Sequence, residues 1–199
     1  MKNNPSRASQ ETNYVSRGGL KLASVATKFE LKLKGKTVLD VGSSTGGFSD
    51  FCLQNGAKKI IAIDLGSDQM DAKLRLDPRI ELHEKTDIRE ITKLSSIVDI
   101  CFVDVSFIRV EQVLPHISRL VGPSSPMVVL FKPQFEASPS QKNKGVIKNE
   151  SVRRDLTKQF EKWLVDHGLM LINKADSELS GRFGNTERFY LINMPEQKR

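Results

Sequence analysis

Short apolar runs rich in Val, Ile and Leu recur along this chain, separated by stretches whose apolar residues return at helical spacing. The runs Thr37–Val41, Lys59–Asp64, Ile80–Glu84, Val98–Asp104 and Met127–Phe131 read as strands, being too brief for helices and bounded by turn residues. Helices are expected to begin between them near Gly47, Asp68, Arg89 and Val110. Such alternation implies βαβ units and a mostly parallel sheet with helices on both faces, an α/β architecture. Upstream, Leu20 to Leu31 predicts a helix in which Leu20, Ala23, Ala26 and Phe29 share one face. Downstream, Glu150 to His167 predicts another, with Leu156, Phe160, Trp163 and Leu164 on the apolar side and Arg153, Arg154, Lys158 and Lys162 mainly opposite. Gly168 closes it, and the strands Met170–Asn173 and Arg188–Asn193 flank the turn-rich SELSGRFGNTE. That closing pair allows an antiparallel C-terminal edge on the sheet. Residues 1–13 are polar and expected to be disordered or loosely attached. Residues 133–149 form a long polar loop of the kind that is functional or mobile in a compact domain.

Composition narrows the class. A chain of 199 residues, 38% hydrophobic and 28% charged, suits one soluble domain with a substantial core. The net charge of +7 favours a polyanionic partner without choosing among nucleic acid, anionic lipid and simple solubility. The basic side of the Glu150–His167 helix is a solvated face by default and an RNA-facing one otherwise. The N-terminus lacks the apolar core of a secretory signal, and no run approaches the roughly 20 apolar residues that span a bilayer. Cys52 and Cys101 sit in apolar segments with no CxxC partner, as buried reduced thiols do, and His83, His116 and His167 share no metal-ligand spacing. A cytoplasmic protein without disulfides or a metal is expected.

The stretch 38–50, VLDVGSSTGGFSD, carries the most chemistry. An apolar strand ends at Asp40 and breaks into Gly42-Ser43-Ser44-Thr45-Gly46-Gly47, followed by a helix from Phe48. A strand, a glycine loop and a helix start let backbone approach a ligand closely, with helix N–H groups aimed at it. The loop matches neither GxxxxGK[ST] nor GxGxxG, so ATP and NAD are not first choices. An acid before such a loop suits a ligand with a positive group, such as the amino acid moiety of S-adenosylmethionine. Ligands of open α/β sheets sit beyond the carboxyl ends of the strands. Asp64 closes the second strand, where an acid about 20 residues on commonly holds ribose hydroxyls. Asp87 follows the third strand and is placed to cap the adenine side. Asp104 closes the fourth strand and Lys132 the fifth. Lys132 follows a wholly apolar strand and precedes Pro133, which restricts it to extended backbone. It is either paired with Asp104 across neighbouring strands or chemically active, since burial and nearby cations turn lysines in general into proton acceptors. Lys21 and Glu187 carry weaker signals, as a helix lysine is ordinarily solvated and the glutamate could cap a turn.

Six segments in consistent order, YVSRGGLKL (14–22), LDVGSSTGGFSD (39–50), DVSFI (104–108), LFKPQFE (130–136), KGVI (144–147) and GNTERF (184–189), resemble the TlyA-type, haemolysin A-like members of the FtsJ-like ribosomal RNA 2′-O-methyltransferases. The resemblance implies a Rossmann-like methyltransferase domain over 14–199, S-adenosyl-L-methionine as cofactor, and a ribose 2′-hydroxyl of ribosomal RNA, cytidine in TlyA, as acceptor. It implies a catalytic Lys-Asp-Lys-Glu tetrad, which by motif falls on Lys21, Asp104, Lys132 and Glu187. Longer members carry an S4-type RNA-binding module before the first segment. Here only a short polar stretch precedes it, so a separate RNA-binding partner, the basic surface or a longer parent chain is expected to serve instead. Arg109 stands where a small residue is usual, and Ser180–Phe183 lacks the expected proline-containing run. Competing readings are a haemolysin-labelled membrane-active protein, a catalytically silent RNA-binding protein of the same fold, and a small-molecule methyltransferase.

Overall fold

The computed structural model describes residues 13–123, 125–181 and 183–195. The expected loose segment lies, apart from Asn13, outside the described residues. The apolar runs form the interior of a sheet: β1 (Thr37–Val41), β2 (Lys59–Ile63), β3 (Ile80–His83), β4 (Ile100–Val103) and β5 (Met127–Phe131) are parallel. The strand order is β3-β2-β1-β4-β5-β7-β6, with β7 (Arg188–Asn193) antiparallel to β5 and to β6 (Met170–Asp176). The antiparallel closing strand therefore lies one place in from the edge. The order reverses between β1 and β4, and a crevice opens there at the carboxyl ends of the strands.

Alternation along each strand divides the core into two layers. Leu39, Ile61, Cys101, Val103, Val129 and Phe131 face one side and pack under α4 (Leu114–Val121) and α6 (Glu150–Asp166). Phe160 of α6 stacks on Phe131 with centroids 4.6 Å apart and meets Tyr190 edge-on at 5.0 Å. Val38, Ile60, Phe102, Val128 and Leu130 face the other side under α1 (Arg17–Ala26) and α2 (Gly47–Gln54). The α6 apolar face is as the spacing predicts, with Leu156, Phe160 and Leu164 buried and Trp163 half-buried. Cys52 and Cys101 are buried and unbonded. No helix among the described residues is long and apolar enough to cross a membrane.

Several expectations are corrected. The first helix ends at Ala26 and buries Gly19, Leu22 and Val25, leaving Leu20, Ala23 and Ala26 half-buried. Tyr14 packs so tightly on Gly19 that a Cβ there would lie 2.5 Å from its ring, and this contact sets the rotation of the helix. No helix follows Arg89: one turn at Ile88–Glu90, capped by the Asp87 carboxylate, leads into irregular chain. Ile91 and Leu94 reach the core from that irregular chain, so their spacing imitates a helical face. The helix expected from Asp68 is the single turn α3 (Ala72–Arg75), capped by Asp71, and that expected from Val110 is a short turn before α4. β2, β3 and β4 are shorter than predicted, which puts Asp64, Glu84 and Asp104 just past the strands, and β6 runs on to Asp176. The 133–149 loop is partly built: it contains α5 (Pro133–Glu136), a turn at Pro139–Gln141 and a two-residue hairpin at 143–146.

Candidate active site

Glycine is required where β1 ends. Gly42 has φ +83°, and a Cβ on it would stand 2.5 Å from the Asp104 carbonyl oxygen. Without a side chain there, the β1 and β4 ends can close on each other. Gly46, at φ +88°, turns the chain into α2. A Cβ on Gly47 would lie 2.9 Å from the Gly19 nitrogen and 3.0 Å from Gly18 Cα, so the N-termini of α1 and α2 meet backbone to backbone.

Two adjoining cavities open around this loop and share Gly42, Ser44 and Asp104. The first, of about 400 Å³, is bounded by Asp64, Gln69, Thr86, Asp87 and Phe107 among others. The second, of about 300 Å³, is bounded by Ser16, Lys21, Ser43, Thr45, Gly47 and Phe48 among others. Asp64 accepts the Ser44 N–H at 2.7 Å and the Gly66 N–H at 2.6 Å, so it braces the loop as well as facing the cavity. Asp87 caps the following turn and pairs with Arg89, whose guanidinium holds its carboxyl below the usual range. Gly46 and Asp40 bound neither cavity. Asp40 lies behind the loop, where its Oδ2 accepts the Ser49 hydroxyl at 2.6 Å. Burial pushes Asp40 up to about 7; the Ser49 hydrogen bond opposes this, and the charges of Asp104 and Asp64 add to it. Asp40 Oδ1 and Ser43 Oγ are buried without a hydrogen-bond partner among the described residues, an arrangement that a polar ligand at the loop would relieve.

The four residues of the expected tetrad come from α1 and from the ends of β4, β5 and β7, and they form two ion pairs. Lys21 Nζ donates to Glu187 Oε2 at 2.5 Å, with both side chains almost wholly buried. Lys132 Nζ lies 2.6 Å from Asp104 Oδ1 and donates to Ser106 Oγ at 2.8 Å. The pairing of Lys132 with Asp104 across neighbouring strands is thus present. Lys21 and Asp104 bound the same cavity.

Three supporting residues have no visible signal in the sequence. Gln134, buried at the start of α5, donates from Nε2 to Glu187 Oε1 at 2.9 Å. Gly181 leaves room for that carboxylate, since a Cβ there would collide with it. Asn185, also buried, accepts the Ile147 N–H at 3.0 Å and donates to the Gly145 carbonyl at 3.0 Å. Gln134 and Asn185 lie inside FKPQFE and GNTERF, but only the tertiary fold gives them their partners. Arg109 finds a place of its own, with its guanidinium on Glu111 and Glu136.

The FtsJ-like methyltransferase model matches residues 14–194. The chain is 39% identical over 179 residues to the 23S rRNA (cytidine-2′-O)-methyltransferase TlyA of Campylobacter jejuni, covering 89% of this chain and 70% of that protein. It is 34% identical over 182 residues to the 16S/23S rRNA (cytidine-2′-O)-methyltransferase TlyA of Mycobacterium tuberculosis, covering 90% and 68%. A crystal structure of a Lactococcus lactis protein given the hemolysin label superposes with a TM-score of 0.88 at 35% identity, covering 92% of this chain and 90% of that one. The family model spans the glycine loop, both ion pairs and the closing strand beside Glu187, and the chain belongs to the FtsJ-like methyltransferase family.

Proposed function

We propose that this protein transfers the methyl group of S-adenosylmethionine to a ribose 2′-hydroxyl of ribosomal RNA, a cytidine ribose by likeness to the TlyA enzymes. The observation that carries the reading is the double lysine–carboxylate pairing, Lys21 with Glu187 and Lys132 with Asp104, beside the cleft of a glycine loop. The residues fit the cofactor. Gly42 lines both cavities, Ser43 Oγ is a buried hydroxyl without a partner among the described residues, and Asp40, with Oδ1 likewise unpartnered, is an acid set behind the loop. Asp64 would hold ribose hydroxyls, Asp87 the adenine side, and Ser43, Ser44, Thr45 and Gly47 with Phe48 the amino acid end. When bound, S-adenosylmethionine supplies a methyl group already activated by its sulfonium.

The work left to the chain is to align a poor nucleophile and remove its proton. Lys132, acting from its neutral amine form, takes the hydroxyl proton as the oxygen bonds to carbon, and the sulfur keeps the electron pair of the broken bond. Asp104, at 2.6 Å, stabilises the ammonium so formed, and Ser106 fixes its direction. Lys21, held by Glu187, orients the acceptor sugar and its phosphate from the α1 side. The test is transfer of labelled methyl to whole ribosomes, separate subunits and naked rRNA. Lys132→Ala is expected to keep cofactor binding in calorimetry and to lose transfer; undiminished turnover in that variant would overturn the assignment.

A further inference from the structure

The hairpin at 143–146 is built more carefully than a connecting loop requires. Asn143 and Val146 exchange both backbone hydrogen bonds at 2.9 Å, and the two residues between them, Lys144 and Gly145, have φ +47° and +80°. Two positive φ values are the mark of a type I′ turn, whose first position favours Asn or Gly. A lysine there carries backbone strain that the turn does not need. The hairpin is clamped from beneath by buried Asn185, which holds the Gly145 carbonyl and the Ile147 N–H. Asn185 stands two residues before Glu187. A second tether runs from Lys142 Nζ to the Gln134 carbonyl at 3.0 Å, and Gln134 itself holds Glu187. Lys144 and Lys148 are exposed and have no acidic partner among the described residues.

We propose that Lys144 and Lys148 form a phosphate contact for the RNA strand that carries the acceptor ribose, an inference resting on the function proposed above. Lys144 stands in the hairpin and Lys148 two residues past it; the hairpin is tied through Lys142 to Gln134, which holds Glu187, and to Asn185, two residues before Glu187 in the chain, so backbone phosphates bound there set the position of the sugar at the Lys21–Glu187 pair. Phosphate contacts position a nucleic acid without reading its sequence, which suits a hairpin offering charge and no base-reading side chain.

The test compares the unaltered protein with Lys144→Asn/Lys148→Gln in methyl transfer to naked rRNA and isolated subunits across a salt series. Asn is favoured at the first turn position, so this variant keeps the hairpin while removing both charges. Each phosphate neutralised by one of these lysines is expected to account for roughly 0.7–0.9 of the slope of log affinity against log salt, and removal of both charges to raise KM about tenfold. Cofactor binding and kcat stay within twofold, and Lys144→Arg/Lys148→Arg restores KM. Absence of transfer by the unaltered protein would overturn the function on which the inference rests. Normal transfer with unchanged KM and salt slope in the double variant would overturn the inference alone. Loss of binding to anionic vesicles with RNA kinetics intact would likewise overturn it, assigning the lysines to a lipid surface.

Discussion

Replacing Asp40 by Asn removes one charge from behind the glycine loop, and the pH dependence of stability reports how deeply that charge is buried. Asp40 is 1% exposed and accepts one hydrogen bond, from Ser49. Its carboxyl is raised from 3.8 to about 7 in the folded protein, by burial first and by Asp104 and Asp64 after the opposing Ser49 bond. The folded state therefore keeps a proton that the unfolded state releases between these two values, and stability falls as pH rises through that window. The full penalty, present above pH 7 and absent well below pH 4, is about 4 kcal/mol at 1.36 kcal/mol per pKa unit. Between pH 5 and pH 8 the unaltered protein is expected to lose roughly 3 kcal/mol by this route, a loss that Asp40→Asn escapes. The amide keeps an acceptor for Ser49 but adds N–H groups facing an unpartnered site, at about 1–3 kcal/mol, so the variant gains less than the full amount at pH 8 and stays within about 1 kcal/mol of the unaltered protein at pH 5. Urea unfolding of both proteins at the two pH values measures the difference. Parallel behaviour at both would refute the claim that this carboxylate is folded into an apolar setting.

Two further substitutions probe the frame of the site and its supporting core. Gly42→Ala sets a Cβ against the Asp104 carbonyl at a φ of +83°; it is expected to destabilise the fold by about 1–3 kcal/mol and to lower cofactor affinity, checked by thermal unfolding and calorimetry. Phe160→Ala removes the ring that touches Phe131, Trp163 and Tyr190; it is expected to lower stability by about 3–5 kcal/mol with an unchanged KM, so an equal loss of affinity would argue that α6 reaches the site.

The central strands are legible in the sequence because they are buried on both faces: β1, β4 and β5 are apolar or nearly so from end to end. The short elements are not. Asp68 to Leu76 and Arg89 to Val98 carry apolar residues at helical intervals, yet each packs only a few of them on the core, and tertiary contacts override the spacing. At the site, Asp104 and Lys132 stand out because a charge directly after an apolar strand needs a reason, and strand adjacency pairs them. Lys21 and Glu187 carry no such local signal: only the resemblance to a family points to them, and their contact joins residues 166 positions apart. Gln134, Gly181 and Asn185 act only through partners that the fold delivers.

The span of the Lys21–Glu187 pair has a consequence for timing. Lys21 rides on the first described helix and Glu187 immediately precedes the last described strand, and β7 threads between β5 and β6 instead of being laid on the edge. In a chain being synthesised, Lys21 is without its carboxylate until the segment carrying Glu187 has been added, 166 positions later. The second ion pair of the site is thus completed among the last steps in making the described fold.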